Sequence, residues 1–407
     1  MLHEHLTQKL DAIAQQHLTR VLRTAESPTS PHQIVRSTNG VGQQRLMFCS
    51  NDYLGLASHP RIAEALAEGA QIWAGGSGAS HLISGHTLAH ERLEDRLASW
   101  FAPHIPQARV LSFSTGYMAN LAVTSALGDS EAEFFSDELN HASLIDGMRL
   151  AKAPVQRYAH ANVAELRKLL ASSTAKIKLI VSDTIFSMDG DMGPLPELLQ
   201  LAQEHDAWLV LDDAHGFGVL GERGRGALEH FGLCSERIIL VGTLGKAAGL
   251  SGAFVAAHER VIAYLMQAAR TYIFTTASLP AVCHALLASL DLIEGDVGQQ
   301  RRRHLLALQH QLRKGLGELL DRHAHWGWQL TLSSTPVQPL IVGSNDATMI
   351  LSSELETAGL RVPGIRPPTV PVGQARLRIT LCATHTASDI DRLLDAVEAA
   401  VQRMEGA

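Results

Sequence analysis

The chain has 407 residues, 46% hydrophobic and 18% charged, with mean hydropathy near zero. That balance excludes a disordered or fibrous chain, and the length excludes a mini-protein stapled by disulfides or metals. Its 34 basic and 41 acidic side chains give a net charge of −7, with no basic run longer than Arg301 to Arg303, which argues against a nucleic-acid partner.

Leu6, Leu10, Ile13, Val21 and Leu22 recur near helical spacing and predict an amphipathic helix within an N-terminal arm, residues 1–50, ahead of the polar stretch Ser27 to Gly42. Glu4, Lys9 and Asp11 interrupt its apolar positions, so the segment lacks the basic cap and apolar stretch of a signal peptide. Cys49, Cys234, Cys283 and Cys382 lie far apart without disulfide-framework or zinc-site spacing. Both features lead us to expect a cytoplasmic protein.

From Asn51 to Asp291, short apolar runs alternate with longer amphipathic stretches. The pattern predicts a large α/β domain, residues 51–291, with a mostly parallel sheet covered by helices. Its longest apolar region, Thr271 to Ile293, is broken by Pro280, His284 and Asp291 and reads as a buried core helix rather than a membrane span. Beyond it come the helical stretch Arg301 to Leu320, apolar segments Thr331 to Leu332 and Pro339 to Val342, the run Leu377 to Leu381, and a closing helix near Ala387 to Met404. These predict a smaller α+β domain over residues 292–407.

In open α/β sheets, ligands bind beyond the carboxyl ends of the parallel strands. Arg109 to Phe113 runs into Ser114-Thr115-Gly116-Tyr117 and a helix, a strand, turn and helix start that present backbone N–H groups to an anion. Lys178 to Ser182 is followed by Asp183 and the loop Phe186 to Asp191, Trp208 to Leu211 ends in Asp212-Asp213-Ala214-His215, and Ile238 to Val241 ends in Gly242-Thr243-Leu244-Gly245-Lys246. An anion seat, a buried acid and an isolated lysine meeting in one crevice are what pyridoxal phosphate requires. The lysine forms the Schiff base, the carboxylate keeps the pyridine nitrogen protonated, and the helix N-terminus holds the phosphate.

Other motifs carry less. Gly216 to Gly221 matches a dinucleotide fingerprint, but Gly224 and Gly226 follow at once and no helix opens there. Gly242 to Lys246 is not a Walker loop, because Leu240 stands where a glycine is required and Ala247 replaces Ser or Thr. No G-x-S-x-G elbow occurs. His81, His86 and His90 fit no H-E-x-x-H zinc site and read as core or surface histidines.

Six segments then stand together: Ser50 to Leu56 (SNDYLGL), Leu139 to Ser143 (LNHAS), Phe186 to Asp191 (FSMDGD), Asp212 to Gly226 (DDAHGFGVLGERGRG), Gly242 to Lys246 (GTLGK) and Ile365 to Pro371 (IRPPTVP). In this order and at these intervals the chain closely resembles the α-oxoamine synthases, fold-type-I pyridoxal 5'-phosphate enzymes that join an amino acid to an acyl thioester with loss of carbon dioxide. IRPPTVP with SNDYLGL is most similar to the branch that uses L-alanine and a pimeloyl thioester, carried on coenzyme A or an acyl carrier protein. The neighbouring alternative is a glycine C-acetyltransferase.

The resemblance implies roles for individual residues. Lys246 would be the Schiff-base lysine and general acid/base, Asp212 the partner of the pyridine nitrogen, and His141 a catalytic residue stacked on the cofactor face. His215 would contact the ring hydroxyl oxygen, Ser187 and Thr243 would bond cofactor oxygens, and Gly116 and Tyr117 would give backbone N–H groups to the phosphate. Thr275 and Thr276 would reach the phosphate from a second subunit, implying a homodimer with shared sites. Arg378 would grip the amino-acid carboxylate, Asn51 would face the substrate, and Arg20 would approach the distal acyl carboxylate.

Overall fold

The computed structural model describes residues 1–15, 18–36 and 40–406. Helix α1 (Leu2–Gln15) and strands β1 (His32–Arg36) and β2 (Gly42–Met47) precede α2 (Pro60–Trp73), α3 (Leu88–Phe101), β3 (Ala108–Phe113) and α4 (Gly116–Leu127). Alternating elements follow: β4 (Ala132–Asp137), α5 (Ala142–Leu150), β5 (Val155–Tyr158), α6 (Val163–Ser172), β6 (Ile177–Asp183), α7 (Leu195–Glu204), β7 (Ala207–Asp212), α8 (Ala227–Phe231) and β8 (Ile238–Thr243). Next are β9 (Ala253–His258), α9 (Glu259–Ala268), α10 (Arg270–Ile273) and α11 (Pro280–Glu294). The C-terminal part holds α12 (Asp296–Arg322), β10 (Gln329–Leu330), β11 (Val337–Gly343), α13 (Asn345–Thr357), β12 (Leu360–Arg361), β13 (Gly364–Ile365), β14 (Ala375–Thr380) and α14 (Ala387–Glu405).

Seven strands form the central sheet in the order β3-β9-β8-β7-β6-β4-β5. Strands β8, β7, β6, β4 and β5 run parallel, while β9 is antiparallel to both neighbours. Side chains alternate between the two faces of a strand, and here both faces are covered. Thus Ile180, Leu209, Leu211, Ile238 and Leu240 enter one core, and Leu179, Val181, Val210, Ile239 and Val241 enter the other. Burial on both sides is why these strands read as unbroken apolar runs, and the α/β, mostly parallel architecture is as expected.

Register decides where the chemistry collects. Asp183 pairs with Asp212 across β6 and β7, and Asp212 pairs with Val241 across β7 and β8. The three carboxyl ends therefore finish side by side, with α4 entering beyond β3.

Several elements differ from the sequence reading. The N-terminal helix stops within the apolar pattern: Val21 and Leu22 lie outside it and are exposed, and α1 buries none of its residues. The polar stretch Ser27 to Gly42 contains β1, which pairs with β2 as an antiparallel hairpin, while β2 also pairs in parallel with β12. Gln16, His17 and Ser37 to Asn39, which fall within those two predicted segments, lie outside the described residues. The strand near Thr331 to Leu332 is instead Gln329–Leu330. The apolar region Thr271 to Ile293 becomes a buried helix only from Pro280, whose fixed φ suits a first helical position.

Candidate active site

Lys246 stands on the turn after β8, closed by Leu244 N to Gly252 O at 2.8 Å and Gly249 N to Lys246 O at 2.8 Å. Gly249 has φ +72°, and a Cβ there would meet Ala57 N and Leu56 C at 2.5 Å. Only a glycine lets the Ser50 to Leu56 segment pack so closely on the lysine turn. Lys246 Nζ lies 2.8 Å from His215 Nε2. Burial brings the lysine pKa down to about 8, against the opposing pull of Asp212 and Asp183.

A hydrogen-bonded chain leads away from that amine. The other ring nitrogen of His215 meets the hydroxyl of Tyr53, which donates to Asn51 Oδ1 at 3.3 Å. The same oxygen accepts from both terminal nitrogens of Arg378 at 3.4 Å. Burial, then the charges of Lys246 and Arg378, push His215 far below the usual imidazole range, so it is neutral near pH 7. Burial likewise raises the Tyr53 phenol to about 12. Lys246, His215, Asn51 and Arg378 are thus brought together, with Tyr53 as the link that the sequence reading missed.

On the other side of the amine, Asp212 Oδ2 accepts from Asn120 Nδ2 at 2.6 Å and Oδ1 accepts from Ala214 N at 2.9 Å. Its strand neighbour Asp183 accepts from His141 N at 2.6 Å, and burial plus the charge of Asp212 push the Asp183 carboxyl well above the ordinary range. Two adjacent buried carboxyls cannot both ionise cheaply, and that like-charge cost adds to burial in raising Asp183. His141 caps α5, its Nδ1 lying 2.7 Å from Ser143 Oγ. The ring is exposed, and partial desolvation lowers its pKa against the pull of Asp212.

The expected anion seat falls at the start of α4. Thr115 caps the helix by accepting from Met118 N, so the Gly116 and Tyr117 N–H groups, the first in the helix, have no intrahelical carbonyl. Thr243 borders them, since a Cβ on Gly116 would lie 3.7 Å from its side chain. The exposed Tyr117 hydroxyl bonds Asp146 instead of turning inward. Ser187 joins the site through its carbonyl, which accepts from Arg378 Nε at 2.6 Å. Thr275 and Thr276 lie in the segment after α10, where Thr276 forms an isolated bridge with Ser80, and no hydrogen bond joins them to this cluster among the described residues. Arg20 is exposed, outside any helix or strand, and likewise has no described bond to it.

An acid at one strand end, a partly neutral amine at the next, an open imidazole face and a capped helix N-terminus fit the ring nitrogen, aldehyde, ring face and phosphate of pyridoxal phosphate. The glycine run after Asp212 has a separate cause. Asp213 accepts from Thr184 Oγ1 at 2.6 Å and Ala227 N at 3.0 Å, and a Cβ on Gly226 would fall 1.9 Å from its Oδ2. His81 packs with His86 and His90, ring centroids 5.3 and 5.0 Å apart, and stacks on Tyr272.

The class I and II aminotransferase family matches residues 44–397. The 8-amino-7-oxononanoate synthase of Leptothrix cholodnii is 60% identical over 400 residues, covering 98% of each chain. That of Polaromonas naphthalenivorans is 58% identical over 407 residues, all of both chains. Among solved structures, the serine palmitoyltransferase of Sphingomonas wittichii superposes with a TM-score of 0.87 at 27% identity, covering 98% of this chain and 97% of that one. The 8-amino-7-oxononanoate synthase of Francisella tularensis gives 0.74 at 29%, covering 89% and 99%. The backbone is shared by branches with different activities, so fold alone does not choose between them; sequence identity does. The chain belongs to the class I and II aminotransferase family and, within it, to the 8-amino-7-oxononanoate synthases.

Proposed function

We infer that the chain condenses L-alanine with a pimeloyl thioester, releasing carbon dioxide and forming 8-amino-7-oxononanoate, the step of biotin biosynthesis that its relatives' name describes. The observation that carries this reading is identity of 60% and 58% along the whole chain to proteins of that name. The site chemistry supports it, because an amine, an acid and a carboxylate-binding arginine already converge. Pyridoxal 5'-phosphate, when bound, supplies an aldehyde that captures amines and a protonated ring that withdraws electrons from the amino-acid α-carbon.

This chain's own residues do the rest. Asp212 would face the ring nitrogen and keep it protonated, its carboxylate held by Asn120. The α4 amides of Gly116 and Tyr117 would hold the phosphate, Ser187 and Thr243 would bond cofactor oxygens, His141 would cover the ring face and His215 would contact the ring hydroxyl oxygen. Arg378 grips the alanine carboxylate through its planar fork, oriented by Asn51. Lys246 takes the α-proton of alanine, a role that its pKa of about 8 allows near neutral pH. After carbon dioxide has left, the same amine returns a proton to that carbon.

The reading extends to assembly. Residues 51–291 form the cofactor-binding domain and residues 292–407 the smaller domain that supplies Arg378, with residues 1–50 as an arm. Thr275 and Thr276 serve the phosphate of a second copy in a homodimer, and Arg20 meets the distal carboxylate of the pimeloyl group. The thioester rides on coenzyme A or on an acyl carrier protein, and the reaction runs in the cytoplasm. No helix among the described residues is long and apolar enough to cross a membrane.

The test is thiol release by purified holoenzyme given L-alanine and pimeloyl-coenzyme A, run beside glycine and acetyl-coenzyme A. Release with the first pair is expected. Release with the second pair alone would move the chain to the glycine C-acetyltransferase branch.

A further inference from the structure

His160 lies outside every motif that led to the site, yet both its ring nitrogens are engaged by carboxylates. Nδ1 is 3.1 and 3.2 Å from the two oxygens of Asp137, and Nε2 is 2.8 Å from Asp191 Oδ2. The ring stands edge-on against Phe186, centroids 4.3 Å apart. An imidazole between two carboxylates donates from both nitrogens and is therefore a cation. Burial alone would lower its pKa, but the bonds to Asp137 and Asp191 outweigh burial and hold it at about 10.

The two acids belong to different parts of the site. Asp137 ends β4 and accepts from Leu139 N at 2.9 Å, starting the turn that delivers His141. Asp191 closes the Phe186 to Asp191 loop, its carbonyl accepting from Phe186 N at 3.0 Å. The loop's far side meets the C-terminal strands: Arg378 Nε donates to Ser187 O, and Arg376 Nη1 donates to Met188 O at 3.1 Å and pairs with Asp189. Arg378 is thus aimed by a carbonyl on a loop whose other end is tied down by the imidazolium.

We propose that His160 is a positioning residue for the amino-acid carboxylate: by bridging Asp137 and Asp191 it fixes the Ser187 carbonyl that orients the Arg378 guanidinium. The inference rests on Arg378 being the carboxylate grip, so the two must be tested apart. Ser333 Oγ and Thr335 Oγ1 still hold Gly190 O at 2.8 and 2.9 Å, so losing the imidazolium loosens the loop rather than freeing it. The Ser187 carbonyl, one of the partners of the Arg378 guanidinium, shifts; amino-acid binding weakens while the acyl side of the pocket is left alone.

The experiment compares holoenzyme carrying His160→Gln, Asp191→Asn or Arg378→Lys with the parent. In the first two variants we expect KM for L-alanine to rise about tenfold while KM for the pimeloyl thioester stays within about twofold. We also expect faster hydrogen–deuterium exchange in peptides spanning residues 184–193, with the β7 peptide unchanged. A purely structural role would lower the folded fraction and affect both substrates alike. If His160→Gln does not accumulate, Asp191→Asn, which keeps His160 and its bond to Asp137, decides the matter. Unchanged KM for L-alanine in Asp191→Asn and in any folded His160→Gln, with Arg378→Lys raising it, overturns the role of His160 alone. Unchanged KM in Arg378→Lys overturns the reading of Arg378 on which it rests.

Discussion

Lys246 Nζ and His215 Nε2 face each other at 2.8 Å, two bases of which only one can titrate near neutral pH. Burial and the neighbouring cations press the imidazole far down, whereas Asp212 and Asp183 limit the fall of the amine to about 8. The amine is therefore the group that switches between nucleophile and acid.

Only neutral Lys246 can attack the cofactor aldehyde, so capture of pyridoxal phosphate by cofactor-free protein should accelerate about tenfold per pH unit and level off above pH 8 or so. Rapid-mixing absorbance measures it, and a rise continuing to the ordinary lysine value of 10.5 would show that the amine is not desolvated. Stability follows with a definite sign. The folded protein releases this proton at lower pH than the unfolded chain, so cofactor-free protein gains stability as pH climbs from about 8 towards 10.5. Lys246→Met should remove that slope in urea titrations.

Asp212→Asn keeps the size and the contact with Asn120 but removes the carboxylate that the proposed function sets against the ring nitrogen. The variant should still bind cofactor, with turnover reduced by about 10²-fold or more. Near-parental turnover would mean that another group serves the ring nitrogen.

Tyr53→Phe deletes the hydroxyl between Asn51 and His215 and leaves a buried imidazole nitrogen without its partner. It should cost about 1–3 kcal/mol in urea unfolding. Because the same hydroxyl braces Asn51 beside Arg378, the KM for L-alanine should also rise several-fold.

The strand ends explain how much of this was legible beforehand. Asp212 ends a doubly buried strand and Lys246 follows another, and an apolar run that stops at a polar residue marks such an end directly. Strand β9 was missed because Ala253–His258 is rich in alanine and short, with nothing to separate it from a helical stretch. Tyr53 sat inside a quoted motif, but its partner His215 lies 162 positions away, and spacing carries no information about such a contact. Asn120 had no signal at all: it lies one turn into α4 among alanines and leucines, and only the folded chain brings its Nδ2 to Asp212 Oδ2. The early end of α1 reflects the same limit, since periodicity reports an apolar face whether or not the chain stays helical along it.

Arg378 is 6% exposed and bonds Ser187 O, Thr380 Oγ1 and Asn51 Oδ1, which fixes its planar fork in one orientation. Arg378→Lys retains the charge but not the fork, so the KM for L-alanine should rise about 10-fold or more with little change for the thioester. Steady-state kinetics varying each substrate separately would read this out. Equal effects on both substrates would place the arginine elsewhere in the reaction.

In the proposed site the amine of Lys246 bonds the cofactor aldehyde beside Asp212. Borohydride reduction of the holoenzyme, digestion and mass spectrometry test it most directly. A pyridoxyl phosphate adduct is expected on the peptide containing Lys246 and absent from Lys246→Ala. An adduct on another lysine, or none in a protein that binds the cofactor, would contradict it.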